Sequence, residues 1–228
     1  MPPRRLLPSL RLPVGRADPA KEQSPPSPET VLLVHGLGRT SRSLSRLHRH
    51  LREAGYGVID WSYPSARRRI EAHGVRLREA LSALDGDPGI LKIHLVGHSL
   101  GGILARHALT LGVPRKMGRV VMLAPPNRGS RLARRLAPVL GPWIAPLPQL
   151  SDDSWSAVNR LGVPRGVEIG VIAATGDGKV RVEDTHLPGE ADHLLVPGTH
   201  TFIMNRAEVR EEVVEFLRRG RFRKRARG

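Results

Sequence analysis

The stretch LKIHLVGHSLGGILARHALTLG, residues 91–112, decides the fold of this chain. Its first part is a short apolar run that predicts a buried strand, and its second part has the apolar spacing of a helix. Between them stands Gly97-His98-Ser99-Leu100-Gly101, a serine between two glycines. A nucleophilic serine needs such a sharp strand-to-helix turn, and the glycines remove Cβ atoms that would collide there. The alternative is an ordinary glycine-rich turn whose serine caps the helix.

The alternation of strand and helix continues on both sides of this stretch. Short apolar runs predict six strands, at residues 31–36, 56–61, 91–97, 118–126, 167–174 and 193–197. Amphipathic spacing predicts four helices, at residues 41–55, 67–84, 100–112 and 206–218. The pattern predicts an α/β fold, with a minimal, mostly parallel sheet and helices on both faces. Ligands of such sheets bind at the carboxyl ends of the strands, so functional residues are expected in the loops there.

Composition divides the chain into one domain with two short ends. Residues 1–30 are rich in proline and poor in apolar side chains, which predicts a disordered leader. Residues 31–217 carry the strands and helices of the domain. Within it, residues 127–166 are rich in proline, glycine and serine and predict a short cap or lid. Residues 218–228 hold seven basic and no acidic side chains and predict a basic tail.

The net charge of +16 is concentrated in that tail, which supplies seven of the excess positive charges. Such a run is typical of a solvated end, or of a weak anchor for an anionic membrane. The domain itself is only mildly basic, so no specific nucleic-acid partner is expected.

The composition also excludes several classes of site. The chain has no cysteine, which rules out disulfides, thiolate metal sites and a cysteine nucleophile. No apolar run reaches the length of about eighteen residues that a transmembrane helix needs. Arg4 and Arg5 resemble the start of an export signal, but no continuous apolar segment follows them. The expected location is therefore cytoplasmic or peripheral to a membrane.

The segment His35-Gly36-Leu37-Gly38 follows the first predicted strand. Acyl transfer needs two N–H donors directed at the oxygen that becomes negatively charged. The amide of Leu100, directly after Ser99, is the first candidate, and the amide of Leu37 is the second. His35 is expected to be structural, because it lies at the end of the strand.

A general base for Ser99 is expected after the last strand, where His200 stands in VPGTHTF, residues 196–202. Its imidazole would take the serine proton and later protonate the leaving group. His193 and His186 are rivals, but both precede the end of that strand.

The carboxylate that orients the histidine is expected after the fifth strand. Asp177 follows it at once, and Asp184 is the rival, since a short loop could bring either to the histidine. The resulting chain order, Ser99, Asp177 and His200, is the order expected for this architecture.

Other site residues are fewer. The ten histidines show no HExxH spacing, and no GxGxxG or phosphate-loop pattern occurs, so neither metal nor cofactor is predicted. In the cap, Trp143, Ile144, Leu147 and Trp155 are candidate contacts to an acyl group, or simply the residues that pack the cap onto the body.

These motifs together resemble the lipase and esterase branch of the α/β-hydrolases over about residues 31–220. LLVHGLG and GHSLGG are similar to the oxyanion loop and nucleophile elbow of bacterial lipases and inositol-deacylase-like hydrolases. GDGKV, residues 176–180, resembles the segment in which such lipases carry the catalytic aspartate. The resemblance implies Ser99, Asp177 and His200 as a triad. The chain departs from the family in its Pro-rich start and short cap.

The sequence therefore predicts a serine hydrolase that cleaves carboxylic esters, such as lipid or other acyl esters, through an acyl-enzyme. An acyltransferase or a thioesterase would use the same triad, and a non-catalytic binding module could use the same fold. Acyl chain length, head group, stereochemistry and oligomeric state stay open.

Overall fold

A computed structural model describes residues 28–223 and shows one six-stranded sheet. All neighbouring strands are parallel, in the order β2-β1-β3-β4-β5-β6. The strands are β1 Glu29–Val34, β2 Gly57–Trp61, β3 Lys92–His98, β4 Met117–Leu123, β5 Ile169–Ala174 and β6 Asp192–Val196. The predicted α/β class and the number of strands are confirmed, and β1 begins two residues earlier than predicted.

Helices cover both faces of this sheet. They are α1 Ser45–Glu53, α2 Ile70–Gly86, α3 Leu100–Thr110, α4 Arg131–Leu140, α5 Ala157–Arg160, α6 Val182–Thr185 and α7 Ala207–Arg219. One apolar layer contains buried residues of α2 and α3, such as Leu77 and Ile103. The other contains buried residues of α1 and α7, such as Leu47 and Phe216. Successive side chains of a strand point to opposite faces, so Leu32 belongs to the first layer and Leu33 to the second.

The parallel registers bring the carboxyl ends of the strands together. Val34 of β1 pairs with Gly97 of β3, and Ala174 of β5 pairs with Val196 of β6. The loops that follow these four strands therefore open on the same edge of the sheet. Those loops carry the candidate residues, so the site is assembled from segments far apart in the chain.

The predicted cap, residues 127–166, contains helices as well as loops. Its first part forms α4, and Ser130 begins this helix by accepting a hydrogen bond from the amide of Ala133. Buried Arg106 of α3 anchors the segment, because its Nε donates to the Gly162 carbonyl and its Nη1 to the Asn127 carbonyl, each at 2.9 Å. Further apolar residues of the segment belong to the core, namely Leu147, Leu150 and Val158. The segment thus packs on the body while α4 extends over the site.

The predicted basic tail starts too early at residue 218, and this boundary is corrected. Arg218 and Arg219 lie within α7, and Gly220 ends the helix with φ 73°. Phe222 is buried against Phe216, and its amide donates to Asp192 at 2.8 Å. An apolar ring inside the basic run therefore holds the chain on the domain as far as residue 223. The rest of the predicted tail and nearly all of the predicted leader lie outside the described residues.

None of the helices within residues 28–223 is both long and apolar enough to cross a membrane.

Candidate active site

Ser99 stands at the turn between β3 and α3 with φ 52° and ψ −120°, backbone angles that side-chain-bearing residues rarely adopt. The amide of Ser99 donates to the carbonyl of Leu123 on β4 at 2.8 Å, which holds the turn against the sheet. A Cβ on Gly97 would lie 2.6 Å from the backbone of Gly101, and one on Gly101 would lie 2.2 Å from the Val34 carbonyl oxygen. The two glycines are therefore required by close packing of strand and helix, as the elbow motif predicts.

Three side chains from three loops form one hydrogen-bonded chain. The Oγ of Ser99 lies 2.8 Å from Nε2 of His200, and Nδ1 of His200 lies 2.7 Å from Oδ2 of Asp177. A carboxylate can only accept, so Nδ1 carries the proton and Nε2 is left to accept the serine hydroxyl. The side chains of His200 and Asp177 are 8% and 2% exposed, so water competes little with these bonds.

The Asp177 carboxylate is held in its charged form. Its Oδ1 accepts from the amides of Lys179 and Val180, at 2.8 and 2.9 Å, in a turn that its own side chain closes. Burial acts to raise the pKa of Asp177, but the hydrogen bond and charge of His200, together with these two amides, outweigh burial and lower it. A carboxylate that stays ionised keeps His200 in the tautomer that can accept a proton from Ser99.

The rival acid Asp184 is engaged elsewhere. Both of its carboxylate oxygens pair with Arg181, at 2.8 and 3.0 Å. The structure thus brings Asp177, and not Asp184, to His200.

The other histidines considered do not reach Ser99. The ring of His35 stacks on Tyr63 at 4.4 Å, and the Tyr63 hydroxyl donates to the His35 carbonyl at 2.7 Å. Burial lowers the pKa of His35, so this ring is neutral within the packed loop. His193 lies 2.9 Å from the hydroxyl of Thr185, and His186 stacks on His193.

The two candidate oxyanion donors flank Ser99. Leu37 lines the cavity above the serine, and Leu100 is the first residue of α3. The hydrogen bonds found among residues 28–223 include none donated by the amide of Leu37 or of Leu100. The Leu100 amide has no partner within the helix because it begins the helix, and the Leu37 amide lies in the turn after β1. Both N–H groups are therefore candidates to bind a substrate oxygen.

His98 is a further site residue that the sequence reasoning did not single out. Its Nε2 donates to the carbonyl of His200 at 2.9 Å and so supports the loop that carries the candidate base. Burial, reinforced by the nearby charges of His200 and Arg39, lowers the pKa of His98 to about 3. The ring is therefore neutral at physiological pH. A Cβ on Gly36 would lie 2.9 Å from its Nδ1, so this ring also requires the glycine of the oxyanion loop. Its place directly before Ser99 was the signal that could have found it.

A cavity of about 300 Å³ opens above Ser99 and His200, and most of its wall is apolar. The apolar lining comes chiefly from α4 and the segment after it: Leu132, Ala133, Leu136, Leu140, Ile144, Leu147 and Leu150. Arg39 and Lys179 are the two cationic residues of the lining. We call this space the active-site cavity.

Two of the four predicted acyl contacts are corrected. Ile144 and Leu147 line the active-site cavity, but Trp143 and Trp155 do not. Their side chains are exposed, with 73% and 81% of their surface accessible. Of these two adjacent residues after α4, Trp143 and Ile144, only Ile144 lines the cavity.

One cluster of side chains offers metal-ligand atoms, although the sequence predicted no metal. Ligand atoms of His186, Glu190 and His193 lie within 4.8 Å of one another. The two imidazole rings are stacked at 3.9 Å with an interplanar angle of 18°, however, and His186 is hydrogen-bonded to Glu190 at 2.6 Å. Imidazole donates in the plane of its ring, so two nearly parallel stacked rings do not converge on one ion. In this arrangement the cluster is a hydrogen-bonded structural unit.

Comparison with known proteins agrees with this geometry. Residues 31–215 match the sequence model of the alpha/beta hydrolase family. A triacylglycerol lipase of Pseudomonas fragi is 34% identical over 111 residues, which cover 46% of this chain and 37% of that lipase. A 2-hydroxy-6-oxononadienedioate/2-hydroxy-6-oxononatrienedioate hydrolase of Escherichia coli is 33% identical over 116 residues, which cover 46% of this chain and 38% of that enzyme. The matches thus span less than two fifths of these curated relatives.

Solved structures of similar fold include lipases. The mature lipase BlEst2 of Bacillus licheniformis superposes with a TM-score of 0.61 at 20% identity, covering 84% of this chain and 90% of that one. The monoacylglycerol lipase of Paleococcus ferrophilus gives a TM-score of 0.61 at 21% identity, covering 84% and 95%. At such identities these likenesses establish the fold alone. With the family match over most of its length, the chain belongs to the alpha/beta hydrolase family.

Proposed function

We propose that this hydrolase cleaves carboxylic esters with an apolar acyl group, through a covalent acyl-enzyme. The observation that carries the proposal is the unbroken chain from Asp177 through His200 to Ser99, which ends at the apolar cavity. The names of the lipases similar to this chain support the same chemistry.

In the first half of the reaction, the Oγ of Ser99 attacks the ester carbonyl carbon while Nε2 of His200 takes the hydroxyl proton. The carbonyl oxygen becomes an oxyanion, which the amides of Leu37 and Leu100 bind. As the intermediate collapses, the bond to the alcohol oxygen breaks. His200 gives its proton to that oxygen, and the acyl group stays on Ser99.

In the second half, water enters and His200 takes one of its protons. The hydroxide attacks the acyl carbon, the bond to Ser99 Oγ breaks, and the proton returns to that oxygen. The products are the free acid and the alcohol, and the enzyme is regenerated. Asp177 does not take a proton in either half; its charge stabilises the imidazolium that forms each time.

The test is the Ser99→Ala variant assayed with the p-nitrophenyl ester of octanoic acid. Turnover is expected to fall by about 10³-fold or more, since removing the nucleophile eliminates the covalent route. A fluorophosphonate probe should label the native protein but not Ser99→Ala. It should also label a Ser82→Ala control, because Ser82 is an exposed residue of α2. Undiminished turnover in Ser99→Ala, or labelling of that variant, would contradict the proposal.

We also propose that basic residues at the C-terminus make a weak contact with anionic membranes. Since the chain is anchored on the domain as far as Phe222, the residues concerned are Lys224, Arg225 and Arg227. Cations near an anionic surface attract it at short range.

A further inference from the structure

A second cavity, of about 240 Å³, adjoins the active-site cavity and differs from it in chemistry. Three arginines line it, Arg39, Arg42 and Arg46, and we call it the cationic cavity. Hydroxyl and amide side chains complete its polar wall, including Ser43 and Asn205. Arg39 and Thr201 line both cavities, so the two are adjacent and share part of their wall.

These three guanidinium groups have no ionic partner within residues 28–223. No carboxylate among residues 28–223 lies within ion-pair distance of Arg39, Arg42 or Arg46. By contrast, Arg119 and Arg181 each pair with a carboxylate, at 2.7 and 2.8 Å. The segment from residue 39 to residue 52 contains five arginines and no acidic residue. The positive charges of Arg39, Arg42 and Arg46 are therefore not neutralised by ion pairs within the described residues.

The position in the fold adds to that potential. Arg42 lies in the 3-10 turn Ser41–Leu44 and Arg46 in the first turn of α1, neither of which has an acidic side chain. The amino end of a helix carries partial positive charge and favours anions over cations. A bound anion would therefore reduce the repulsion among the three arginines at this end.

The cationic cavity also lies beside the reacting groups. Arg39 follows the candidate oxyanion donor Leu37 by two residues, and Thr201, which lines both cavities, directly follows His200. His200 protonates the alcohol oxygen that leaves, so the alcohol portion of an ester departs past this histidine. The apolar wall of α4 suits the acyl portion, and the arginines suit a charged alcohol portion.

We propose that the cationic cavity binds an oxyanion, either phosphate or carboxylate, carried on the alcohol portion of the substrate. The substrate class is then an apolar acyl ester of an anionic alcohol. Guanidinium groups bind both anions through paired, charge-assisted hydrogen bonds, which suits a cluster of arginines. The inference rests on the proposed ester hydrolysis and narrows its substrate.

The experiment compares three esters that share one acyl chain: octanoyl glycerol, octanoyl glycerol 3-phosphate and octanoyl glyceric acid. Each is used as a dissolved monomer at low ionic strength. At least one anionic ester should show a kcat/KM about tenfold or more above that of the neutral ester, the range expected for charge-assisted hydrogen bonds. Added salt should reduce this preference, since mobile ions screen exposed charges. Which of the two is preferred identifies phosphate or carboxylate as the anion.

Variants then locate the preference. Replacing Arg42 and Arg46 together by glutamine should lower the anionic-to-neutral ratio of kcat/KM about tenfold. Each single variant, Arg42→Gln or Arg46→Gln, should lower the ratio in part. Arg49→Gln also removes one charge, from the next turn of α1 outside the cationic cavity, and should keep the ratio. An equal fall with Arg49→Gln would show a general charge effect and overturn the inference.

The remaining outcomes separate this inference from the hydrolase proposal. Turnover of the neutral ester without preference for either anionic ester overturns the inference and leaves ester hydrolysis standing. The inference is also overturned if anionic esters are preferred only in the presence of anionic vesicles. It is overturned likewise if inorganic phosphate inhibits hydrolysis of neutral and anionic esters equally. If no ester is turned over, the hydrolase proposal fails. Calorimetric binding of glycerol 3-phosphate and glyceric acid to Ser99→Ala, lost in the Arg42 and Arg46 double variant, then tests the cavity by itself.

Discussion

The two sides of the cleft around Ser99 differ in chemistry, since one is lined by apolar residues and the other by arginines. On one side α4 and the following segment present leucines and an isoleucine, several of which also pack into the core. On the other side the start of α1 and the turn Ile203–Asn205 enclose a space lined by arginines. Hydrophobic burial is non-directional and tolerates varied chains, whereas guanidinium groups discriminate by charge. The comparison implies that one side sets how much apolar surface binds and the other sets which head group is accepted.

The largest effect is expected at the candidate triad between the two sides, because the same three residues would act on neutral and anionic esters. Asp177→Asn keeps the shape of the side chain but no longer fixes the His200 tautomer, so kcat should fall about 10³–10⁴-fold. Neutral and anionic esters should lose activity alike. Asp184→Asn is the matched control, since this carboxylate pairs with Arg181. A loss of activity in Asp184→Asn as large as in Asp177→Asn would contradict the assignment.

A carboxylate placed on the apolar side should selectively impair esters with a long apolar acyl group. Ile144→Asp places a charge in the wall of the active-site cavity, so kcat/KM for an octanoyl ester should fall about tenfold or more. An acetyl ester, which buries less apolar surface, should lose less. Trp143→Asp changes the adjacent, exposed residue and should have little effect on either ester. Equal losses of kcat/KM in the two variants would show that Ile144 does not form part of the wall that contacts the acyl group.

The unfolding free energy should also depend on pH through His98, which supports the loop that carries His200. Its pKa is about 3 in the folded protein and near 6.5 when unfolded, so between these pH values the unfolded chain binds more protons and acid destabilises the fold. At pH 5 this amounts to about 2 kcal/mol, because each pH unit below the unfolded pKa costs about 1.4 kcal/mol. His98→Gln should lose that part of the difference in unfolding free energy between pH 7.5 and pH 5, measured by urea denaturation. His50→Gln, which changes a histidine of α1 outside both cavities, should retain it.

The smallest effect is expected from the C-terminal cations, which lie apart from both sides of the cleft in sequence. Deleting residues 224–228 should weaken binding to anionic vesicles about fivefold or less at physiological salt, since screening reduces the contribution of each of the three cations to about 0.3 kcal/mol. Flotation with vesicles measures this, and neutral vesicles give the baseline. If the Arg42 and Arg46 double variant lost vesicle binding instead, the cleft arginines would serve the membrane and the contrast between the two positive regions would disappear.

Much of the site could be predicted because each motif is tied to the end of a strand. Leu37, Ser99, Asp177 and His200 follow four different strands, and parallel strands bring their carboxyl ends to one edge. What the pattern did not resolve was the choice between two carboxylates a few residues apart. That choice depends on the turn that Asp177 closes with the amides of Lys179 and Val180, and on Arg181 engaging Asp184.

The walls of the cleft were less predictable. Trp143 and Trp155 were predicted as contacts to an acyl group, yet both are exposed. The wall is instead formed by α4, a helix not predicted within the Pro-rich segment, although Leu132, Leu136 and Leu140 have helical spacing. Arginines at the start of α1 are, from sequence, indistinguishable from an ordinary solvated face.

The sequence by itself determined the six strands, the four helices outside the loops that follow β4 and β5, the elbow at Ser99 and the chemistry of the candidate triad. These follow from local rules: the period of apolar residues, the small side chains a tight turn requires, and the reactivity of each functional group. The tertiary structure alone decided which acid meets the histidine, which apolar residues face the cleft, and that three arginines line a surface pocket beside it. Those outcomes depend on contacts between segments distant in sequence, and no local pattern encodes the direction in which a side chain will point once such segments pack.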